Sequence, residues 1–135
     1  MWARPSGWRN LTRLEQTRLD MTPAIAHAPI YAARRAHLAS QLGAGGVAII
    51  PTAPERARNR DSDFAYRHDS YFFYLTGFTE PNAWLVLDAS GRSTLFCQPK
   101  DLVREIWDGY RLGPEAAVSA LGVTAAMSVA ELDQH

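Results

Sequence analysis

Residues Asp61 to Arg111 read DSDFAYRHDSYFFYLTGFTEPNAWLVLDASGRSTLFCQPKDLVREIWDGYR, and this stretch decides the fold. Aromatic residues stand among charged residues and turn formers. Ser70 to Thr76 is an aromatic, strand-like run, and Gly77 to Asn82, with Gly, Glu-Pro and Asn, is a turn. Trp84 to Leu87 and Thr94 to Cys97 are two further apolar runs, and Ala89-Ser90-Gly91-Arg92 between them suits a hairpin. Apolar and polar residues alternate poorly over 70–75, so both faces of a strand there are buried and Phe64 to Tyr74 falls into the core. Leu102 to Trp107 makes one or two helical turns, with Asp101 placed to cap them.

Working outward, Tyr31, Leu38 and Leu42 recur at helical spacing, with Arg34, Arg35 and Gln41 free to face water and Gly43 placed to end the helix. Val47 to Ile50 is a continuous apolar run, hence a buried strand, ended by Pro51. Thr52 to Asp63 is polar, proline-containing and arginine-rich, a loop. On the C-terminal side, Pro114 to Leu121 is a helix with proline in its first turn and Gly122 past its end. Ala125 to Met127 is a short strand. Ser128 with Glu131 three residues on is a capping box, which announces a helix that does not finish before His135 and implies a chain cut from something longer. The class is therefore α/β (α+β), a mixed β-sheet flanked by helices. Residues 1–22 read as an N-terminal tail and 23–135 as the domain. The basic stretch before Met21 holds Arg4, Arg9, Arg13 and Arg18 but no apolar h-region. Met21 offers an alternative start, and an amphipathic helix around Leu11, Leu14 and Leu19 is the rival reading.

Composition narrows the function. Fourteen basic residues balance fourteen acidic ones over 135 residues, which argues against a nucleic-acid or membrane-surface partner. No apolar run is long enough to span a membrane. The single cysteine, Cys97, excludes an internal disulfide and fits a reducing, cytoplasmic location.

The sites that the residues suggest are weak. Gly43-Ala-Gly45-Gly-Val-Ala48 matches the dinucleotide fingerprint in letters, but it follows a helix and precedes a strand, the reverse of what phosphate binding needs. Asn59, Asp61 and Asp63 with His68 and Asp69 imitate a metal loop. Phe64 stands where a calcium loop needs glycine and Ser70 where it needs glutamate, so a polar loop pairing with Arg58, Arg60 and Arg67 is the plainer reading. Cys97 sits in an apolar strand as a small hydrophobe, and His27, His37 and His68 lack a readable partner for base catalysis. No catalytic or metal-binding residue is expected in this chain. Trp107, in Glu105-Ile-Trp107-Asp-Gly109, carries the best functional signal. It either caps a local core or forms a rigid apolar wall for a ligand or partner.

The order of these motifs resembles the N-terminal domain of Xaa-Pro aminopeptidases (aminopeptidase P), within the creatinase/prolidase-like family. The likeness rests on Arg34-Arg35-x-x-Leu38, Val47-Ala-Ile-Ile-Pro51, Arg60-Asp-Ser-Asp63, Tyr66-Arg67 and Asp69-Ser-x-Phe72-x-Tyr74-Leu-Thr-Gly77-Phe. It continues through Glu80-Pro81, Leu85-Val-Leu87, Leu95-Phe96 and Glu105-Ile-Trp107-x-Gly109. The resemblance implies a metallopeptidase that removes the N-terminal residue preceding proline. Two manganese ions are expected on two Asp, one His and two Glu of a separate catalytic domain that follows this one. It also implies a homo-oligomer, dimer or tetramer, in which Trp107 reaches a neighbouring subunit's substrate pocket. This chain alone is then expected to be inactive. A stand-alone peptide- or protein-interaction domain and the N-domain of a prolidase or creatinase are the alternatives.

Overall fold

A computed structural model describes residues 27–135; the expectations for residues 1–22, tail or amphipathic helix, lie outside the described residues. In chain order the elements are α1 (Ala28–Gln41), β1 (Val47–Pro51), β2 (Ala57–Asn59), β3 (Ser62–Asp63), α2 (Ser70–Thr76), β4 (Trp84–Asp88) and β5 (Ser93–Cys97). After them come α3 (Glu105–Asp108), α4 (Gly113–Leu121), β6 (Ala125–Ser128) and a 3-10 helix (Val129–Gln134).

Four strands form one sheet in the order β1-β4-β5-β6. The first two pairings are antiparallel and β5-β6 is parallel, so the sheet is mixed, as expected. Its register aligns Ile50, Leu85, Leu95 and Ala126 in one row across all four strands. Period-two alternation then puts Leu85 and Leu87 toward the helices and Val86 on the opposite face. β5 is buried along its whole length. Phe72, Leu75, Phe78, Leu85, Leu95 and Leu121 form the heart of the core, with α1 and α4 laid over the sheet. The 3-10 helix crosses the other face at β5 and β6, and the His135 ring meets Phe96 edge-on at 5.3 Å.

The structure corrects several expectations. Ser70 to Thr76 is a helix, not a strand. The Asp69 carboxylate accepts the Phe72 amide at 2.8 Å as an N-cap, and Gly77 closes the helix at φ 69°. The aromatic run therefore splits by helical period: Phe72 and Leu75 point inward, while Tyr71 and Tyr74 are exposed, as is Phe64 in the preceding loop. Only part of the block from Phe64 to Tyr74 is core. β1 is half-buried rather than buried, since Val47 and Ile49 face solvent on an edge strand. The polar loop of 52–63 contains the small β2–β3 hairpin, turned by the Asn59 side chain, which accepts from the Asp61 amide and the Ser62 hydroxyl, both at 3.0 Å. Gly43 does not end α1 in a left-handed conformation; Leu42 leaves it extended, and Gly45 takes the positive φ. Ser128 does cap the last segment, but that segment is a 3-10 helix.

Arg35 departs furthest from its sequence reading. It is 3% exposed. Its guanidinium donates to the carbonyls of Leu75 at 2.8 Å, Leu121 at 3.1 Å and Gly122 at 2.9 Å. These carbonyls lie at the C-terminal ends of α2 and α4, where helix geometry leaves acceptors without an intrahelical partner and the helix dipole favours a cation. One side chain thus ties three helices together. Gly77 makes a second close junction: a Cβ there would collide with the Tyr31 ring of α1.

Candidate functional site

Trp107 stands at the edge of a hollow of about 500 Å³, lined also by Glu80, Pro81, Gln98, Tyr110 and Arg111. Its side chain is 80% exposed, which removes the core-capping alternative. Leu102, Val103 and Ile106 on the same loop are also exposed. An exposed run of four large apolar side chains gains nothing from burial within this domain, and such patches mark contact surfaces.

The loop that carries them is fixed by polar groups. The Asp101 carboxylate accepts the amides of Val103 at 3.0 Å and Arg104 at 3.1 Å, so the sequence-expected cap holds the turn leading into α3. The Glu105 carboxylate accepts the Arg111 amide at 3.1 Å and pairs with the Lys100 ammonium at 2.9 Å. Lys100 donates in turn to the Arg111 carbonyl at 2.9 Å and lies 4.0 Å from the centre of the Tyr110 ring. Gly109, at φ 95°, supplies the reversal that sends the chain back toward its start, a conformation that a side chain would disfavour. Beyond it the Leu112 amide donates to the Glu80 carboxylate at 3.0 Å.

The carboxyl groups here differ in their proton affinity. Burial pushes Glu80 up to about 7, against the opposing pull of the Leu112 amide and the charges of Arg111 and Lys100. Burial acts to raise Glu105 as well. Its bond to Lys100, the Arg111 amide and the two nearby cations outweigh that and hold it below the ordinary value. Sequence reading singled out Trp107 but gave Glu80 no role beyond a turn and a family motif.

The other candidates lie apart from this site. Cys97 is fully buried in β5, where burial and then the Glu80 charge push its thiol up to about 12, so it acts as a core residue and not as a nucleophile. His68 stacks on Phe73 at 4.5 Å, and His37 faces Gln41 on the exposed side of α1. Asp61 and Asp63 are exposed. They do not pair with Arg58, Arg60 or Arg67: the ion pairs among the described residues are Lys100–Glu105 and Asp108–Arg111. Among the described residues no group of three His, Cys, Asp or Glu side chains is placed to share a metal ion. No helix of the described residues is long and apolar enough to cross a membrane.

The α-helices lie over one face of the mixed sheet, the 3-10 helix crosses the other, and the exposed tryptophan stands on a clamped loop beside it. Residues 31–135 match the family model described as "Aminopeptidase P, N-terminal domain", and the chain belongs to that family. It is 45% identical over 106 residues to the Xaa-Pro aminopeptidase of Escherichia coli K12, covering 76% of this chain and 24% of that relative. It is 31% identical over 131 residues to human Xaa-Pro aminopeptidase 3, covering 86% and 25%. The solved Escherichia coli aminopeptidase P bound to the inhibitor Pro-Leu superimposes with a TM-score of 0.76 at 43% identity, over 80% of this chain and 26% of that one. Pseudomonas aeruginosa aminopeptidase PepP gives 0.75 at 41% identity, covering 79% and 25%. The chain thus spans about a quarter of the length of the relatives it matches.

Proposed function

We propose that this chain serves as the N-terminal domain of a manganese-dependent Xaa-Pro aminopeptidase, which hydrolyses the peptide bond between an N-terminal residue and a following proline. The relatives carry that activity in their names, and this domain accounts for about a quarter of their length. Two Asp, one His and two Glu of a following catalytic domain would hold two manganese ions, which would serve to activate water there. The present chain supplies no ligand to them. Its contribution is to subunit association, as part of a dimer or tetramer, and to the substrate pocket of a neighbouring subunit.

Trp107 carries this part of the proposal. An indole 80% exposed on a loop fixed by three carboxylates has little packing role among the described residues. As a flat wall in trans it would stack on the apolar end of a peptide, a contact that adds about 0.5–1.5 kcal/mol beyond area burial. The test is Trp107→Ala in the enzyme that contains this domain. Catalytic efficiency on longer peptides should fall by roughly 2- to 12-fold, the equivalent of that stacking energy. Manganese content should not change. Unchanged kinetics on longer peptides would refute the role.

A further inference from the structure

The loop from Asp101 to Leu112 is held at its start by Asp101, in its middle by Glu105 and at its end by Glu80. The first two carboxylates belong to the loop or its flank. Glu80 does not: it comes from the turn before β4, 32 residues away in sequence, and it is the only one of the three that joins the loop to the sheet side of the domain. Its neighbour Pro81 is fastened as well, since the side-chain amide of Gln98, the residue after β5, donates to the Pro81 carbonyl at 3.2 Å. The chain from Glu80 to Pro81 is therefore anchored to β5, and Glu80 passes that anchorage to Leu112. Leu112 is buried in the core at the N-cap position of α4, whereas Trp107, five residues before it, is exposed. Between them the chain reverses at Gly109, which offers little resistance of its own to movement.

We infer that Glu80 is a positioning residue for Trp107: its bond to the Leu112 amide fixes the returning end of the loop, and with it the direction in which the indole is presented. This rests on the reading of Trp107 as a pocket wall, but the hold of Glu80 on the loop is separately measurable. The groups around Glu80 are consistent with a fixing role. Arg111 and Lys100 face it with positive charge, Glu105 and the Cys97 thiol share its surroundings, and Lys100 and Glu105 are already engaged with each other. A group that must stay in place is here surrounded by partners that are themselves held.

Two variants separate position from mere stability. Glu80→Met keeps the apolar bulk and removes the acceptor, and Glu80→Gln keeps an acceptor oxygen for the Leu112 amide. In the 135-residue chain, amide exchange followed by NMR should speed up at Leu112 by about tenfold in Glu80→Met, the loss of one buried hydrogen bond. β4 and β5 should stay protected, and Glu80→Gln should restore slow exchange. Unchanged exchange at Leu112 in Glu80→Met overturns the inference, as does an equal speeding across the whole sheet. In the full enzyme, Glu80→Met and Trp107→Ala should each lower catalytic efficiency on longer peptides, and the double variant should lose no more than Trp107→Ala alone. Additive losses show that Glu80 acts otherwise than through Trp107 and overturn the inference. If Trp107→Ala itself has no effect, the pocket role of the indole fails, and the exchange experiment still decides whether Glu80 holds the loop.

Discussion

Arg35 and Trp107 are placed against their own chemistry, in opposite directions. Arg35 is a cation 3% exposed, and Trp107 is a large apolar ring 80% exposed. A buried cation needs internal partners, and Arg35 has them in three helix-end carbonyls. An exposed indole needs a reason outside its domain, because the fold gains nothing from it. The comparison separates two kinds of unusual residue. One is explained completely by contacts within the chain and belongs to stability. The other is left unexplained by them, and the proposed role in a neighbouring subunit would supply the missing reason.

The largest effect is expected at Arg35. Arg35→Met removes the cation and leaves the carbonyls of Leu75, Leu121 and Gly122 without their donor. Methionine fills much of the volume, so the cost comes from the lost charge-assisted bonds, about 3–5 kcal/mol in denaturant unfolding. That is a large share of the stability of a domain this size. A loss below about 1 kcal/mol would mean that the three helix ends hold together by apolar packing alone.

Arg35 also shows where the sequence stops being legible. Its acceptors are backbone carbonyls 40 and 86 residues away, and a backbone acceptor leaves no residue type to read. Glu80 escaped notice for the same reason, its partner being a backbone amide. Features encoded by neighbouring residues were readable: the hairpin between β4 and β5, the Asp101 cap, α4 with Pro114 and Gly122, and β6. α2 lies between these cases. Asp69 and Gly77 bracket it with helix signals, yet the aromatic run Tyr71 to Tyr74 favours a strand by local propensity, and the caps with core packing prevail. Trp107 was legible as a candidate only. Whether such a ring is covered depends on chain that is distant in sequence.

The next effect in size belongs to Glu80. Its folded-state value of about 7 lies above the ordinary carboxylate range, so between about pH 4.5 and 7 the folded chain keeps a proton that the unfolded chain has lost. Stability from this group is therefore fully present at the acid end of that window and declines as pH rises through it. The loss is on the order of 2 kcal/mol once the partial exposure of the carboxyl is allowed for. Glu105, held below its ordinary value, contributes in the opposite sense, with stability lost as pH falls through a lower window. Urea unfolding at several pH values should show the Glu80 decline in the native chain. A flat profile in Glu80→Gln would assign it to this residue. An unchanged slope in that variant would place the titration elsewhere.

Trp107→Ala should have the smallest effect on the fold. Four-fifths of the side chain already meets solvent, so truncation removes little buried area and leaves no cavity. Unfolding free energy should stay within about 0.5 kcal/mol of the native value, as for surface substitutions in general. The interest lies in setting this against the kinetics of the same variant. A residue that matters to the fold should cost stability and activity together, whereas one that serves a neighbouring subunit should cost activity alone. If Trp107→Ala destabilises the 135-residue chain by about 1 kcal/mol or more, the indole has an internal role, and the contrast with Arg35 becomes one of degree. If stability holds while catalytic efficiency drops, exposure against chemical preference will have identified a working residue that no contact within this domain explains.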